Sequence, residues 1–391
     1  MPSSADQANA LLRSVVDALP KGRLAEQLEA GTPLRVKLGI DPTTADIHLG
    51  HCVVLRKLRA FQDAGHIVVL IVGDYTARVG DPSGRSDERP VLAAEQIEAN
   101  AATYREQAFK ILDPDRVELR RNSEWLAMPS DQLFDLMRRF TVARLLERDD
   151  FEKRMAAAQP ISALELLYPM LQGYDSVAVE ADVEVGGSDQ TFNLLFGRDV
   201  QVSFGVPAQS ILTMPLLVGT DGVRKMSKSF GNHIGVAEPP DEMFGKVMSI
   251  PDEALPEYYR LLLELDLDSS RRPVEAKREL ARRLVDELHG EGEGALAEAR
   301  FDQVHVRREV PDEVEEGGFA AGADGSVHLP ALLADQFGLS RSEARRLLEQ
   351  EGVRLDGTTL ESGTLDVPAE ALDGVILQVG KRRFKRLRLE R

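Results

Sequence analysis

The run HIVVLIVG at residues 66–73 constrains the fold of this chain more than any other segment. An unbroken apolar, β-branched run of that length fits a strand buried on both faces, which is the habit of a parallel sheet. It is too short to cross a bilayer, and no apolar run approaches the roughly 18–20 residues a membrane helix needs. Around it, strand and helix signals alternate. Leu34–Gly39 is β-like, Asp41-Pro42-Thr43 breaks it, and a helical pattern covers about His48 to Ala64. Helical patterns follow near 93–112 and 131–157, with a strand at Val117–Arg120 between them; Ile161–Val177 reads as another helix and ILTMPLLVG (211–219) as a further buried strand. Such alternation predicts an α/β sheet with right-handed crossovers.

From about Pro239 the pattern changes. Segments near 240–248, 255–265, 273–289 and 292–301 have helical spacing, and VPDEVEEGGFAAGADGS (310–326) is acidic and glycine-rich, as a linker would be. The remainder offers two short helices, a tight turn and a β-hairpin with Gly380 near its turn. A length of 391 residues suits two or three domains. The expected division is an α/β domain over 1–235, a helical domain over 236–310, a linker over 311–325 and a small α+β domain over 326–391.

Charge divides along the same line. The net charge of −17 argues against one large nucleic-acid-coating surface. Yet residues 326–391 are nearly balanced, and KRRFKRLRLER (381–391) is strongly basic, the asymmetry of an RNA-binding appendage on an acidic body. The single cysteine, Cys52, permits no internal disulfide and no thiolate zinc site. The amino end lacks a basic start followed by an apolar core, so it reads as a capped amphipathic helix, not a signal peptide. A cytoplasmic protein is expected.

Four segments carry candidate chemistry. DPTTADIHLGH (41–51) joins a strand to a helix start, where free N–H groups and the helix dipole favour phosphate. His48 and His51, three apart, face one side of the first turn and could donate to phosphate oxygens, and Gly50 leaves room for a flat base. An ordinary capped helix is the alternative. A metal pair is disfavoured, since His66, His233, His289, His305 and His328 form no matching cluster. TDGVRKMSKSFGN (220–232) sets Lys225 and Lys228 between glycines, which suits a loop closing over a polyphosphate; a solvated loop is the alternative. In GDPSGRSDERP (80–90), Asp81 could bind an ammonium, and Arg85 and Arg89 could bind phosphate; a charged turn is the alternative. In LLYPMLQGYDSV (166–177), Tyr168, Gln172 and Asp175 share one helical face, lining either a polar pocket or an outer surface. GGSDQTFNLL (186–195) adds Asp189 and Gln190 at a helix start.

HLGH and KMSKS, in this order and in an α/β chain, resemble the class I aminoacyl-tRNA synthetases. LGIDPTTADIHLGH, GDPSGRSDER, the Y-x-x-x-Q-x-x-D face, VGGSDQ and the basic end are similar to the bacterial tyrosyl-tRNA synthetases over nearly the whole chain. That resemblance implies a doubly wound Rossmann-type catalytic domain, an α-helical anticodon-recognition domain and an α+β alpha-L RNA-binding domain. It also implies a homodimer and ATP, L-tyrosine and tRNA(Tyr) as partners, with Mg2+ accompanying ATP and no protein-bound structural metal.

The resemblance further implies the roles of individual residues. Thr43 and His48 would stabilise the departing pyrophosphate, His51 and Gly50 would hold ATP, and Asp189 its ribose. Lys225 and Lys228 would meet pyrophosphate as the transition state forms, with Arg85 and Arg89 assisting. Asp41, Asp81, Tyr168, Gln172 and Gln190 would surround the amino acid, and Asp175 would accept the phenolic proton. Arg341, Arg345, Arg346, Lys381, Arg382, Arg383 and Lys385 would grip RNA phosphates. The chain departs from many members at Lys37, where they carry a tyrosine. A lysine could donate to the phenolic oxygen or pair with a nearby acid.

Three other readings share some of these features. A tryptophanyl-tRNA synthetase has the fold and both signatures but lacks the RNA-binding tail, and the Asp175 face suits a phenol better. A non-catalytic RNA-binding paralogue would not need His48, His51, Lys225, Lys228, Asp81 and Asp189 together. A nucleotidyltransferase acting on a small metabolite would leave the helical domain and basic tail unexplained.

Overall fold

A computed structural model describes residues 3–83, 93–307, 314–322, 324–361, 363–380 and 383–390. The chain divides into two compact units, Met1–Glu291 and Gly292–Arg391.

The first unit is built on a six-stranded sheet. Its strands are β1 (Asp17–Leu19), β2 (Arg35–Ile40), β3 (Ile67–Val72), β4 (Val117–Arg121), β5 (Val183–Gly187) and β6 (Ser210–Met214). They lie in the order β1-β6-β5-β2-β3-β4. The five from β2 to β6 are parallel, and only the edge strand β1 runs antiparallel, against β6. The apolar run behaves as its composition requires: Val68, Val69, Leu70, Ile71 and Val72 are all buried in β3, between β2 and β4. β1 was not legible in the sequence, being three half-buried residues added to an existing edge.

Each parallel strand returns through helices. Leu49–Asp63 follows β2 and turns Leu49, Val53, Leu55, Leu58 and Phe61 inward. Tyr168–Ala178 and Thr191–Ser203 flank β5 and pack closely. A Cβ at Gly173 would stand 2.5 Å from Val200 Cγ2, so this crossing needs glycine. The expected helices at 131–157 and 161–177 are both interrupted. The first is three short pieces, Ser130–Met137, Val142–Leu145 and Asp149–Ala156, because Thr141 caps a new start and Arg148 turns into the interior to bond Asp150 and Asn193. The second is a 3-10 turn at Glu165–Leu167 and becomes an α-helix only at Tyr168, with Pro169 in its first turn, where a missing N–H costs nothing.

Within the same unit, Pro240–Ser249 and Pro273–His289 are packed helices. The second unit begins with the helix Glu293–Phe301 and carries a five-stranded sheet and the helices Leu329–Phe337 and Arg341–Glu349. Its closing hairpin pairs Ile376–Val379 with Arg383–Leu389. One sequence expectation is corrected here: part of the 311–325 linker is a strand, Glu316–Phe319, parallel to Arg383–Leu389. Two glycines hid it, since its pairing comes from the terminal strand and not from its own propensity. Among the described residues, no helix is long and apolar enough to cross a membrane.

Candidate active site

The order of the parallel strands reverses between β2 and β5, and α/β sheets take ligands outside the carboxyl ends of the strands at such a switch point. A cavity of about 560 Å³ opens there. Asp41, Thr43 and Thr44, beyond the end of β2, form part of its wall; Asp189 and Gln190, beyond the end of β5, form another.

His48 is the extended residue from which the helix Leu49–Asp63 starts. Its N–H donates to His51 Nδ1 at 3.2 Å, and the two rings are tilted by 32° with centroids 3.9 Å apart. The Leu49 N–H donates to Ile234 O at 3.0 Å and the Val236 N–H to Ile47 O at 2.9 Å, which joins this helix start to the stretch after the lysine loop. The lysine loop itself comes as near. A Cβ on Gly50 would lie 3.6 Å from that of Met226, and 3.0 Å from His48 Nδ1. HLGH and KMSKS therefore meet over one cavity.

The histidines bring donors to that cavity without charge. Burial pushes His48 down to about 2 and His51 down to about 4, so both are neutral near pH 7. His48 Nδ1 is buried with no hydrogen-bond partner among the described residues. Positive charge comes from the loop. Lys225 Nζ lies 2.8 Å from Asp189 Oδ2, and Lys228 pairs with Asp46. Asn232, buried behind the loop, holds its shape: Oδ1 accepts from the Ser227 N–H at 2.8 Å, and Nδ2 donates to Lys225 O at 3.2 Å and Asp221 Oδ2 at 3.1 Å.

The other wall carries the Y-x-x-x-Q-x-x-D face. Tyr168, Gln172 and Asp175 all line the cavity. Tyr168 Oη donates to Asp41 Oδ2 at 2.9 Å, and Thr76 Oγ1 donates to Asp41 Oδ1 at 2.7 Å. Asn122 Nδ2 donates both to Thr76 Oγ1 at 2.9 Å and to Asp175 Oδ2 at 3.3 Å. Trp125 Nε1 completes the chain by donating to Asp175 Oδ1 at 2.7 Å. Burial pushes Asp175 up to about 7; Lys37 is the strongest influence the other way, and the Trp125 and Asn122 bonds also oppose it. Asp81 accepts from Gln190 Nε2 at 2.8 Å, the Ser83 N–H at 2.9 Å and Asn193 Nδ2 at 3.4 Å.

Of the residues singled out from the sequence, Thr43, His48, Gly50, His51, Asp41, Asp81, Tyr168, Gln172, Asp175, Asp189, Gln190, Lys225 and Lys228 all line this cavity. Lys37 does not. It is fully buried in β2 and pairs with Glu184, so of the two arrangements open to it, the ion pair is the one formed. Arg85, Arg89, Lys381 and Arg382 lie outside the described residues. In the second unit Arg341, Arg345, Arg346 and Arg383 are exposed, while Lys385 Nζ is 2.7 Å from Glu315 Oε1. Sequence reasoning missed Thr76, Asn122, Trp125 and Asn232. Asn122 had a signal, since it follows the carboxyl end of β4, on the edge where such sheets bind ligands. The others bind through tertiary contacts that no spacing announces.

The profile of "tRNA synthetases class I (W and Y)" matches residues 29–305. The chain belongs to that family. Within it, the chain is 47% identical to the tyrosine–tRNA ligase of Geobacter sulfurreducens, across 98% of this chain and 99% of the relative. It is 46% identical to that of Thermotoga maritima, across 98% and 97%. Among solved structures, a C-terminally truncated mitochondrial tyrosyl-tRNA synthetase of Aspergillus nidulans superposes with a TM-score of 0.63 at 23% identity, covering 78% of this chain and 94% of that one. The tyrosyl-tRNA synthetase of Archaeoglobus fulgidus, complexed with L-tyrosine, gives 0.62 at 20% identity, covering 75% and 99%. These structural likenesses bear on the fold alone.

Proposed function

We propose that the chain is a tyrosine–tRNA ligase whose chemistry takes place in the cavity between β2 and β5. A carboxylate oxygen of L-tyrosine attacks the α-phosphorus of ATP, the bond to the bridging oxygen of the β-phosphate breaks, and pyrophosphate leaves. The ribose hydroxyl of the 3′-terminal adenosine of tRNA(Tyr) then attacks the tyrosyl carbonyl carbon, and AMP leaves. Neither step needs a protein nucleophile, so the work is positioning and charge stabilisation.

The observation that carries this reading is the convergence of Gly50 and Met226 over a cavity that Asp175 also lines. The adenine lies against Gly50, and its ribose hydroxyls reach Asp189. Thr43, His48, Lys225 and Lys228 take the pyrophosphate, His51 helps hold ATP, and Mg2+ enters with ATP as part of that substrate. Arg85 and Arg89, a few residues beyond Asp81 in the sequence, assist. The α-ammonium is received by Asp81, Tyr168 and Gln172, with Asp41 and Gln190 bracing them. Gln172 Oε1, which has no partner among the described residues, and the carboxylate of Asp81 have the polarity an ammonium requires. Asp175 accepts the phenolic proton.

In this reading residues 1–235 form a Rossmann-type catalytic domain and 236–310 a helical anticodon-recognition domain. Residues 326–391 form an alpha-L RNA-binding fold that uses Arg341, Arg345, Arg346, Lys381, Arg382, Arg383 and Lys385. The enzyme acts in the cytoplasm as a homodimer. Exposed Phe134, Val142 and Met155 support a second copy, since large apolar side chains left in water favour burial.

The test is amino-acid-dependent exchange of pyrophosphate into ATP, run with each standard amino acid. Exchange with tyrosine alone supports the reading. Exchange with tryptophan, or with none, rejects it.

A further inference from the structure

Lys37 and Glu184 sit side by side on the neighbouring parallel strands β2 and β5, directly in register. Their side chains are 0% and 1% exposed. Lys37 Nζ directs its three N–H groups to Glu184 Oε1 at 2.8 Å, Ser176 Oγ at 2.8 Å and the Gln172 carbonyl at 2.9 Å. Glu184 Oε1 also accepts from Gln172 Nε2 at 3.1 Å, and Oε2 accepts from Ser176 Oγ at 3.2 Å and from Gln209 Nε2. The pair thus grips the helix that carries Gln172 and Asp175 at three points, and Lys37 does so without lining the cavity.

A carboxylate beside an ammonium accepts hydrogen bonds and cannot donate them. Gln172 must therefore turn its NH2 group to Glu184. Its Oε1 is left buried and, among the described residues, without a partner, in a side chain that lines the cavity. If Glu184 carried a proton, the amide could reverse and present N–H groups to an incoming ammonium, which is the wrong polarity.

We propose that the Lys37–Glu184 pair is a positioning device that sets the polarity of the amino-acid pocket, fixing the Gln172 amide with its oxygen free for the substrate ammonium and keeping positive charge behind Asp175. It rests on the reading of this cavity as the tyrosine site. Asp175 supports it independently. The charged groups around that acid are Lys37 from β2, Glu184 from β5 and, through Asn122 and Thr76, Asp41. Among the described residues, Lys37 is the one cation in that set. It opposes the burial and the Glu184 charge that push Asp175 up to about 7, so losing it raises Asp175 further and neutralises the phenol acceptor near pH 7.

The experiment is tyrosine-dependent pyrophosphate exchange as a function of pH, with the wild type and three variants. Lys37→Met should raise the KM for tyrosine at neutral pH by about tenfold or more, the scale of one displaced pKa unit, while the KM for ATP holds. Part of the loss should be recovered at alkaline pH. Lys37→Met with Glu184→Gln, which leaves no uncompensated charge, should recover stability but not the tyrosine KM, because a glutamine partner no longer dictates the amide. Ser176→Ala removes one acceptor of Lys37 without burying a bare charge. It should raise the tyrosine KM by about threefold, equivalent to roughly 0.7 kcal/mol, while the KM for ATP holds and the melting temperature falls only modestly. An unchanged tyrosine KM and pH profile in Ser176→Ala and in the double variant would overturn the proposal and leave the pair a structural one. Equal losses for tyrosine and ATP would overturn it as well. A wild type that exchanges with a different amino acid would sink the tyrosine reading instead, and the same variants would then be read on that amino acid.

Discussion

Lys225 Nζ lies 2.8 Å from Asp189 Oδ2, so a loop ammonium rests on the acid assigned to the ribose of ATP. Both groups are partly exposed, and a pair of this kind is worth about 0–1 kcal/mol. ATP can displace it readily, and the freed ammonium becomes available to the phosphates. Lys225→Met is expected to lower kcat for adenylate formation by about 10²–10³-fold, as loss of one preorganised charge donor does, with little change in the KM for ATP. Asp189→Asn should act chiefly on that KM. Steady-state pyrophosphate exchange separates the two, and a Lys225→Met variant altered only in KM would count against a transition-state role.

Gly50 is tested by a single methyl group. The Cβ of alanine would stand 3.0 Å from two atoms of the His48 ring and 3.6 Å from Met226 Cβ. The imidazole must then move, and the surface for a flat base is lost. Gly50→Ala should raise the KM for ATP about tenfold, equivalent to some 1.4 kcal/mol, while tyrosine binding measured by fluorescence of Trp125 is retained. Equal weakening of both ligands would place Gly50 outside the nucleotide site.

Asp175 makes a pH prediction. Burial raises it to about 7, so below that value the pocket acid carries a proton and cannot accept one from a phenol. Tyrosine kcat/KM should climb through about pH 7 to a plateau. Asp175→Asn should flatten that limb and lower kcat/KM by about tenfold to a hundredfold, the cost of one to two mispaired buried polar groups. A steep limb surviving in the asparagine variant would assign it to another group. The same acid should also lower the stability of the free protein as pH rises from about 4 to about 7, because the folded chain holds that proton longer than the unfolded one.

The contrast between Asp175 and its partners shows what a sequence can carry. Tyr168, Gln172 and Asp175 were legible because a helix repeats by geometry, and three polar residues at i, i+4 and i+7 must share a face. The strand β3 was legible because burial on both faces demands an unbroken apolar run. Trp125 and Asn122 were not, since they reach Asp175 from the far end of β4 across about 50 residues of chain. Glu184 escaped notice for the same reason. In the sequence it is one acid within DVEVGG; only the register of β5 on β2 sets it against Lys37. The strand Glu316–Phe319 was hidden by glycines and completed by a partner at the other end of the unit.

The division of the chain near Glu291 predicts separable activities. A protein ending at Glu291 keeps every cavity residue named above. It should retain pyrophosphate exchange to within about threefold, a change of roughly 0.7 kcal/mol, while tRNA charging falls steeply. The full-length protein should also lose tRNA affinity with added salt, in proportion to the phosphates that Arg341, Arg345, Arg346 and Arg383 neutralise. If truncation abolished exchange and charging together, the second unit would be needed for the fold of the first.

The two histidines of HLGH give the last prediction. Both are held below their ordinary value near 6.5, His48 at about 2 and His51 at about 4, chiefly by burial. On lowering the pH, the unfolded chain takes up these protons first. The stability they contribute is therefore complete above about pH 6.5 and is lost as pH falls from there toward the folded values. The melting temperature should drop between about pH 7 and about pH 5, and His48→Asn with His51→Asn should drop less over the same interval because neither asparagine titrates. The kinetics should agree: with both imidazoles neutral, kcat for adenylate formation should show no histidine step between about pH 6 and about pH 8. Differential scanning calorimetry of the two proteins checks the first expectation. An identical drop in both would mean that the imidazoles are already solvated, and that the donors facing pyrophosphate are cations after all.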